Sequence, residues 1–341
     1  MNISIKGIRS ATPDEWDLLW WGCPYSTYFQ SREWAEIWNI YTKGGMRPEP
    51  KIVEFSDGKK ALLPLSFQKS CKGLVRGYIS SPAGTFGGWI STDELSLAHA
   101  MLLTDCLVRL GNLVWRINPY DELAFKVNVR ASRDDKTQVL NLVSVSDGIY
   151  KMWEKGPMAY KVRKARKGEV WVRLASTLDD WLAYYQVYQD SLRRWGDRAS
   201  SRYDWRIFNE MFRRESPYIK LWLAIYQNKI VAGIINFYAK KHAVGWHASA
   251  LAQHFKLYPM NLLVYEIVKD ACEKGYSWFG FNPSGGHKGV ERFKRSFGAQ
   301  FFQCPEVIIE TNWAKFAKNI SVLLRRGNIV RHNQAVGKNT R

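Results

Sequence analysis

The stretch Trp278–Gly298, WFGFNPSGGHKGVERFKRSFG, decides how the second half of this chain folds. Its aromatic beginning, at 276–281, predicts a short buried strand, and the Pro and Gly residues of 282–286 predict the turn that ends it. The segment 288–295 carries two lysines and two arginines and predicts a basic helix. A strand that opens through a Gly-rich turn into a cationic segment is a common anion-binding arrangement. A strand, a loop and a solvated basic face would show the same pattern, so other segments must decide.

The composition is that of a folded and strongly basic protein. Of 341 residues, 46% are hydrophobic and 14% are aromatic, which predicts a sizeable core and, from the length, two domains. The 50 Lys and Arg residues exceed the 31 Asp and Glu residues by 19. This balance indicates an anionic partner, such as nucleic acid, a phosphorylated carrier, a polyanionic glycan or an acidic membrane surface. Charge alone does not choose among them.

Cysteine spacing and apolar runs bear on where the protein acts. The five cysteines lie at no metal or redox spacing, so we expect reduced thiols and no metal site. The N-terminus has no apolar core of signal-peptide length, and no window approaches the roughly 18–20 apolar residues of a membrane span. We expect a cytoplasmic protein that could also act at the inner membrane surface.

The order of the predicted elements indicates an α+β fold. A capping box at Thr12 and an N-cap at Ser31 predict two helices near the start. The second half begins again with a strand and two helices, followed by an antiparallel meander over 219–250 and a helix over 259–274. The aromatic strand comes next, so the sheet should be mixed rather than doubly wound and parallel.

We divide the chain into three parts. An N-terminal domain is predicted at 1–150 and a C-terminal catalytic domain at 151–305. The remainder, 306–341, should hold a strand or helix and a basic tail that could pack back on the first domain. The junction contains YKVRKARKG at 160–168, which is either a solvated helical face or a surface that contacts an anion.

Five short segments occur in the order seen in a known family. They are YFQSREW at 28–34, SSPAGTFGG at 80–88, YKVRKARK at 160–167, KIVAGI at 229–234 and ERFKRSFG at 291–298. Through these segments the chain resembles the FemAB-like and BioF2-like (CelD-like) acyltransferases, which pair two GNAT-like domains. The resemblance covers residues 25–300. It implies an α+β fold of two GNAT-like domains with mixed, mostly antiparallel sheets.

The resemblance implies an N-acyltransferase. It would move an acyl or aminoacyl group from acyl-CoA or aminoacyl-tRNA, neither of them tightly bound, to an amine of a cell-envelope precursor or polysaccharide sugar. Its partners would be an anionic carrier or a phosphorylated envelope precursor, with tRNA as one form of the carrier. An amine that attacks an activated ester needs alignment, proton removal and oxyanion stabilisation rather than a covalent nucleophile. The charge and the aromatic content also fit an alternative, a non-catalytic nucleic-acid or polyanion-binding protein.

The matched segments supply the candidate site residues. By resemblance, Lys294 lies near the reaction centre, where a cation would stabilise an oxyanion or a donor phosphate. His287 in the Gly-rich turn and Glu291 as a base complete the catalytic set. The ligand-binding candidates are Gly233, Ile234, Asn236 and Asn261 for the donor, and Gln30, Arg163, Lys164 and Lys288 for the acceptor or a phosphate, with no metal ligand.

Four departures from the family pattern leave the donor and the acceptor open. Ile37 and Trp38 stand where peptidoglycan-modifying relatives often carry a lysine that helps to hold the precursor's phosphates. No long helical arm is inserted around 175–215. The strand at 278–282 lacks the acidic residue common in CoA-using relatives, and 259–263 lacks their Gly-rich pyrophosphate turn.

Overall fold

A computed structural model describes residues 3–70, 73–143, 153, 156–199 and 201–317 of the chain. In the first part of the chain the helices are α1 Pro13–Gly22, α2 Arg32–Tyr41 and α3 Leu97–Val108, and the strands are β1 Ile5–Ser10, β2 Met46–Pro48, β3 Lys51–Phe55, β4 Lys60–Leu63, β5 Ser66–Ser70, β6 Val75–Ile79 and β7 Leu113–Arg116. The predicted capping box is present, because Thr12 accepts from the Glu15 N–H and Glu15 accepts from the Thr12 N–H. Ser31 caps α2 through the N–H of Trp34, as predicted.

The remaining elements are again strands and helices. They are β8 Lys136–Asn141, α4 Pro157–Lys167, β9 Trp171–Leu174, α5 Leu178–Trp195, α6 Trp205–Arg213, β10 Ile219–Tyr226, β11 Lys229–Tyr238, β12 His242–Ala250, α7 Pro259–Glu273, β13 Trp278–Pro283, α8 Lys288–Arg295, β14 Gln300–Gln303 and β15 Glu306–Ile309. The opening stretch therefore forms a strand, a Gly-rich turn and a basic helix. No helix of the described chain is long and apolar enough to cross a membrane.

Three sheets organise these strands. Their orders are β1-β3-β4, β15-β7-β6-β5-β2 and β14-β8-β13-β12-β11-β10-β9. Within the described residues the parallel neighbours are β6 with β7 and β12 with β13, whereas the other pairs are antiparallel. The predicted mixed, mostly antiparallel sheets are thus confirmed.

Sheet membership does not follow chain order near the predicted domain limits. β8 precedes residue 150, yet it lies between β14 and β13 in the sheet of the second half. β15 follows residue 305 and pairs antiparallel with β7, in a sheet of the first half. The predicted basic tail falls mostly in 318–341, outside the described residues.

A cluster of aromatic side chains joins the two halves of the chain. Tyr28 stacks on Phe237 of β11 at a centroid distance of 4.3 Å, and Trp34 of α2 meets Trp246 of β12 at 5.3 Å. Such rings bury large areas and pair in preferred geometries. This cluster therefore packs the first half against the face of the seven-stranded sheet that carries Phe237 and Trp246.

Gly233 of β11 lies where no side chain can be accommodated without displacement. A Cβ there would be 2.5 Å from Tyr184 Cδ2 and 3.1 Å from the Trp222 carbonyl. We expect Gly233→Ala to lower the free energy of unfolding by about 1–3 kcal/mol, the usual cost of overpacking. Gly289→Ala is the control, because nothing lies within 4 Å of the Cβ position there. Urea unfolding of both variants checks the prediction, and equal stabilities would contradict it.

Candidate functional site

The central feature of the seven-stranded sheet is a split between its two parallel strands. β12 and β13 are paired from His242↔Trp278 to Val244↔Gly280. Beyond that point β12 carries an extra residue, Trp246, since Asn236 of β11 pairs with Gly245 whereas Ile235 pairs with His247. A bulge of this kind bends a strand and increases its twist, so β12 turns away from β13.

A cavity of about 510 Å³ occupies the split. Its size is that of a small-molecule pocket, and most of its walls are apolar or aromatic. β11, β12, β13, α7 and α8 all contribute residues: Ile234, Gly245, Ala248, Phe255, Tyr258, Pro259, Met260, Asn261, Val264, Phe279, Phe281, Gly289, Val290, Phe293 and Lys294.

Lys294 is the cationic side chain among these lining residues, and it is 5% exposed. Its Nζ donates a hydrogen bond of 2.6 Å to the Asn282 carbonyl. Asn282 in turn donates from Nδ2 to the Gly245 carbonyl at 3.4 Å. α8 is therefore tied to β13, and β13 to β12, at the point where the strands part. Burial lowers the pKa of Lys294 to about 7.

The N-terminus of α7 forms another wall of the cavity. Tyr258, in the left-handed region at φ 55°, precedes Pro259 at the first helical position, and no side chain caps this end. Helix N-termini favour anionic groups because their first N–H groups lack intrahelical acceptors. Asn261 is buried there, and its Nδ2 lies 3.5 Å from Met158 Sδ.

Basic side chains stand around the mouth of the cavity. Lys164 of α4 lies with Nζ 5.3 Å from the centre of the Tyr258 ring. Arg194 of α5 lies with Cζ 4.9 Å from the centre of the exposed Phe255 ring. The exposed Lys288 begins α8, directly before two lining residues. The cavity is thus apolar inside and cationic at its rim.

A second, polar groove of about 350 Å³ lies on the opposite side of α8. Its lining includes the carboxylates of Asp134, Asp135 and Glu291 together with the Gly-rich turn. Asp135 is close enough to Lys294 to raise the pKa of that amine, although burial outweighs this effect. The groove and the cavity therefore approach each other at Lys294.

The structure brings together only some of the predicted site residues. Lys294, Ile234 and Asn261 line the cavity. Glu291 instead faces the polar groove and pairs with Arg295 at 3.0 Å. His287 is exposed just before α8 and lines neither space. Arg163 is exposed on α4, the helix that also carries Lys164.

Three ligand-binding predictions do not agree with the positions that the structure gives. Gly233 faces the Tyr184 ring instead of the cavity. Asn236 is fully buried behind Gly245, and its amide has no hydrogen-bonding partner in the described chain. Gln30 is also fully buried: its Oε1 accepts from the Thr27 N–H, and its Nε2 lies 3.4 Å from the Gly87 carbonyl. Gln30 holds loops together and cannot reach a phosphate.

Most residues of the cavity wall were not predicted from the sequence. Phe255, Tyr258 and Val290 were not singled out, although aromatic residues before a Pro-initiated helix are a usable signal. Ala248 was missed because a small residue carries no chemical signal of its own. Asn282, which joins both strands to Lys294, was predicted at the boundary between strand and turn but was not a candidate site residue.

His242 and His247 do not supply an acid or base near neutral pH. Tyr184 Oη lies 2.7 Å from Nδ1 of His247, and burial lowers the pKa of His247 to about 3. Burial does the same to His242. Both rings are therefore neutral at pH 7. Across the described residues, no group of three or more His, Cys, Asp or Glu side chains could hold a metal ion.

Comparisons with known proteins agree with this geometry. Residues 157–295, which contain every residue that lines the cavity, match the family model of the acetyltransferase (GNAT) domain. The structure of FemX is similar at a TM-score of 0.69 and 12% identity, over 92% of this chain and 100% of that one. No curated protein matches the sequence.

Two further solved structures share the fold. The C-terminal domain of a putative lysylphosphatidylglycerol synthetase from Agrobacterium fabrum has a TM-score of 0.54 and 13% identity, over 82% of this chain and 89% of that one. L-PGS from Bacillus licheniformis has a TM-score of 0.51 and 12% identity, over 87% and 98%. Residues 157–295 are therefore similar to the acetyltransferase (GNAT) domain, and the chain shares the overall fold of FemX.

Proposed function

We propose that this acyltransferase moves an acyl or aminoacyl group from an anionic carrier, held in the cavity between β12 and β13, to the amine of a cell-envelope precursor. The observation that carries the proposal is the end of the cavity at Lys294. There a buried amine, a strand split and an uncapped helix N-terminus meet in one space.

The cavity is apolar inside and cationic at its rim, and this combination supports an amphiphilic donor. Its aromatic walls suit an extended apolar arm or an aminoacyl side chain, whereas Lys164, Arg194 and Lys288 at the rim suit phosphates. Acyl-CoA and aminoacyl-tRNA both join an activated acyl group to an anionic carrier. The cationic rim fits either of them better than a neutral ester.

The proposed reaction is a direct transfer. The acceptor nitrogen attacks the carbonyl carbon of the donor, a C–N bond forms, and negative charge develops on the carbonyl oxygen. Collapse of this intermediate breaks the C–O or C–S bond to the carrier, which leaves as an alcohol or a thiol and takes up the proton lost by nitrogen. Lys294 donates one N–H to the Asn282 carbonyl and, as an ammonium, retains two to stabilise the developing oxyanion.

This role predicts a pH dependence. The pKa of Lys294 in the folded protein is about 7, so the ammonium predominates below pH 7 and is lost above it. We expect kcat/KM of the wild type to show an alkaline limb with a midpoint near pH 7, and the residual activity of Lys294→Met to lack that limb. A Lys294-dependent rise through pH 7 would contradict the oxyanion role and indicate a general base instead.

The polar groove supports an amine as the acceptor. Asp134 forms no ion pair with a described residue and would attract an ammonium group beside Lys136, whereas Asp135 and Glu291 are paired with Arg116 and Arg295. A positively charged or amine-bearing envelope precursor at the inner membrane surface fits these features, and acyl transfer fits them better than the non-catalytic alternative.

A mass-spectrometric transfer screen tests the proposal. Purified protein is incubated with either an acyl-CoA mixture or charged tRNA, each against amino sugars, peptides and lipid-linked precursors. We expect one donor class to give an N-acylated product, and that class identifies the carrier. The proposal fails if neither donor is consumed beyond its rate of spontaneous hydrolysis with any acceptor.

A further inference from the structure

The helical segment at 312–317, which follows β15, exposes its large apolar side chains and buries its small ones. Trp313 and Phe316 are each 56% exposed, whereas Ala314 and Ala317 are buried. The two alanines pack on Val75 in a small cluster separate from the main cores. A helix that only covered a core would place its largest apolar residues inward. The exposed rings of Trp313 and Phe316 therefore indicate a surface that binds a partner.

Leu74 extends the two rings into a patch. It is 63% exposed, and its carbonyl accepts a hydrogen bond of 3.3 Å from Trp313 Nε1. The rings of Trp313 and Phe316 are 5.9 Å apart. A single exposed apolar residue is ordinary, but three together mark an interaction surface. We call Leu74, Trp313 and Phe316 the Trp313 patch.

Three basic residues and one acidic residue, Glu310, lie around the Trp313 patch. Lys69 and Arg76 are directly opposite each other on the β5–β6 hairpin that leads into and out of Leu74, and both are exposed. Lys315 is exposed within the helical segment itself. None of the three forms an ion pair with a described residue. The sequence 318–341, which continues from the patch, has six Lys and Arg residues and no Asp or Glu.

We infer that the Trp313 patch is a docking surface for an anionic phospholipid bilayer. Trp and Phe side chains favour the boundary between headgroups and acyl chains, and neighbouring Lys and Arg residues gain from anionic headgroups. Trp313 and Phe316 insert at this boundary, and Lys69, Arg76 and Lys315 lie near the headgroup phosphates.

Charge and chemistry favour a bilayer over a second copy of the chain or a nucleic acid. A second copy of the chain would bring together two proteins of net charge +19 around a patch ringed by cations. A nucleic acid would satisfy the cations but would leave Leu74 without an apolar partner. A bilayer offers apolar depth and negative charge at the same surface.

The inference goes beyond the proposed function and does not depend on it. The Trp313 patch lies on the sheet that contains β5, β6, β7 and β15, whereas the cavity belongs to the seven-stranded sheet. Its consequence would be to hold the enzyme beside lipid-linked acceptors. Vesicle binding can be measured without donor or acceptor, so its failure and a failure of the transfer proposal are distinguishable.

Vesicle co-sedimentation with the full chain tests the inference. The vesicles are phosphatidylcholine alone and phosphatidylcholine mixed with phosphatidylglycerol. The test variant is the double change Trp313→Ser with Phe316→Ser. The control is Trp171→Ser on β9, where the ring is 49% exposed and the strand lies at the edge of a different sheet from β5 and β6. All three proteins should melt alike, because the changed side chains are exposed.

We expect the wild type and Trp171→Ser to sediment with vesicles that contain phosphatidylglycerol and only weakly with phosphatidylcholine alone. The double variant should bind the anionic vesicles at least about tenfold more weakly, because two interfacial aromatic anchors are lost. Equal binding by the double variant and the wild type, or no wild-type binding to anionic vesicles, would overturn the inference. A dimer of the wild type that the double variant abolishes would also overturn it, in favour of a second copy.

Discussion

The Lys294→Met variant should lose acyl transfer while its fold remains intact. We expect kcat/KM to fall by about 100–1000-fold, the usual cost of removing one preorganised oxyanion donor. The free energy of unfolding should not fall with it. The pKa of Lys294 is lowered in the folded state from 10.5 to about 7, so the buried cation destabilises the fold fully below pH 7, and this cost disappears as the pH rises towards 10.5.

Removing that cation should therefore raise the unfolding free energy at pH 6 by on the order of 1–3 kcal/mol, after allowing for the Asn282 carbonyl left without its donor. Lys269→Met is the matched control, since Lys269 is an exposed lysine of α7 that pairs only loosely with Glu273, at 3.8 Å. Transfer assays and urea unfolding at pH 6 measure both effects. A loss of transfer rate of only about threefold in Lys294→Met would be far smaller than the loss expected on removing an oxyanion donor. Such a result would show that Lys294 takes no part in the mechanism.

The second large effect should come from filling the cavity. Ala248 of β12 faces the split, and its side chain is exposed to the cavity space. In Ala248→Trp, an indole would occupy the space proposed for the donor arm, so we expect kcat/KM to fall by about 100-fold or more. A misplacement of about 1 Å can already cost that much. The loss should appear for the donor of whichever class proves active.

Ala248→Ser keeps the volume of the side chain nearly unchanged and serves as the control at the same position. It should retain most of the activity, and both variants should show the thermal stability of the wild type, because the new atoms enter an open space. Donor kinetics at saturating acceptor separate the two outcomes. A fully active Ala248→Trp would mean that the donor binds elsewhere.

The sequence predicted the parts of the fold that short segments determine by themselves. The box at Thr12 and the N-cap at Ser31 satisfy their own helix ends, so they could be identified without knowledge of the tertiary fold. The basic helix after the Gly-rich turn was predicted from its position and its charges, although no side chain caps it. Lys294 was selected by resemblance, and the structure places it in the cavity wall.

What the sequence could not predict depends on contacts between distant segments. The bulge at Trp246 arises from the pairing of β12 with β11; Gly245 beside it is a residue that often marks a bulge, but it does not fix the register. β8 joins the seven-stranded sheet through partners more than a hundred residues away. The same limitation explains Gln30, which the resemblance of its segment suggested as a ligand-binding residue but whose side chain binds backbone groups of another loop.

A single-turnover transfer measurement tests the central claim most directly. A labelled donor of the active class and its acceptor amine are mixed with an excess of one protein: the wild type, Lys294→Met or Lys269→Met. The acylated amine is then quantified over time. The account predicts matching rates for the wild type and Lys269→Met, and for Lys294→Met a rate lower by about 100-fold or more with the same final product. Equal rates for all three proteins would contradict a reaction centre at Lys294.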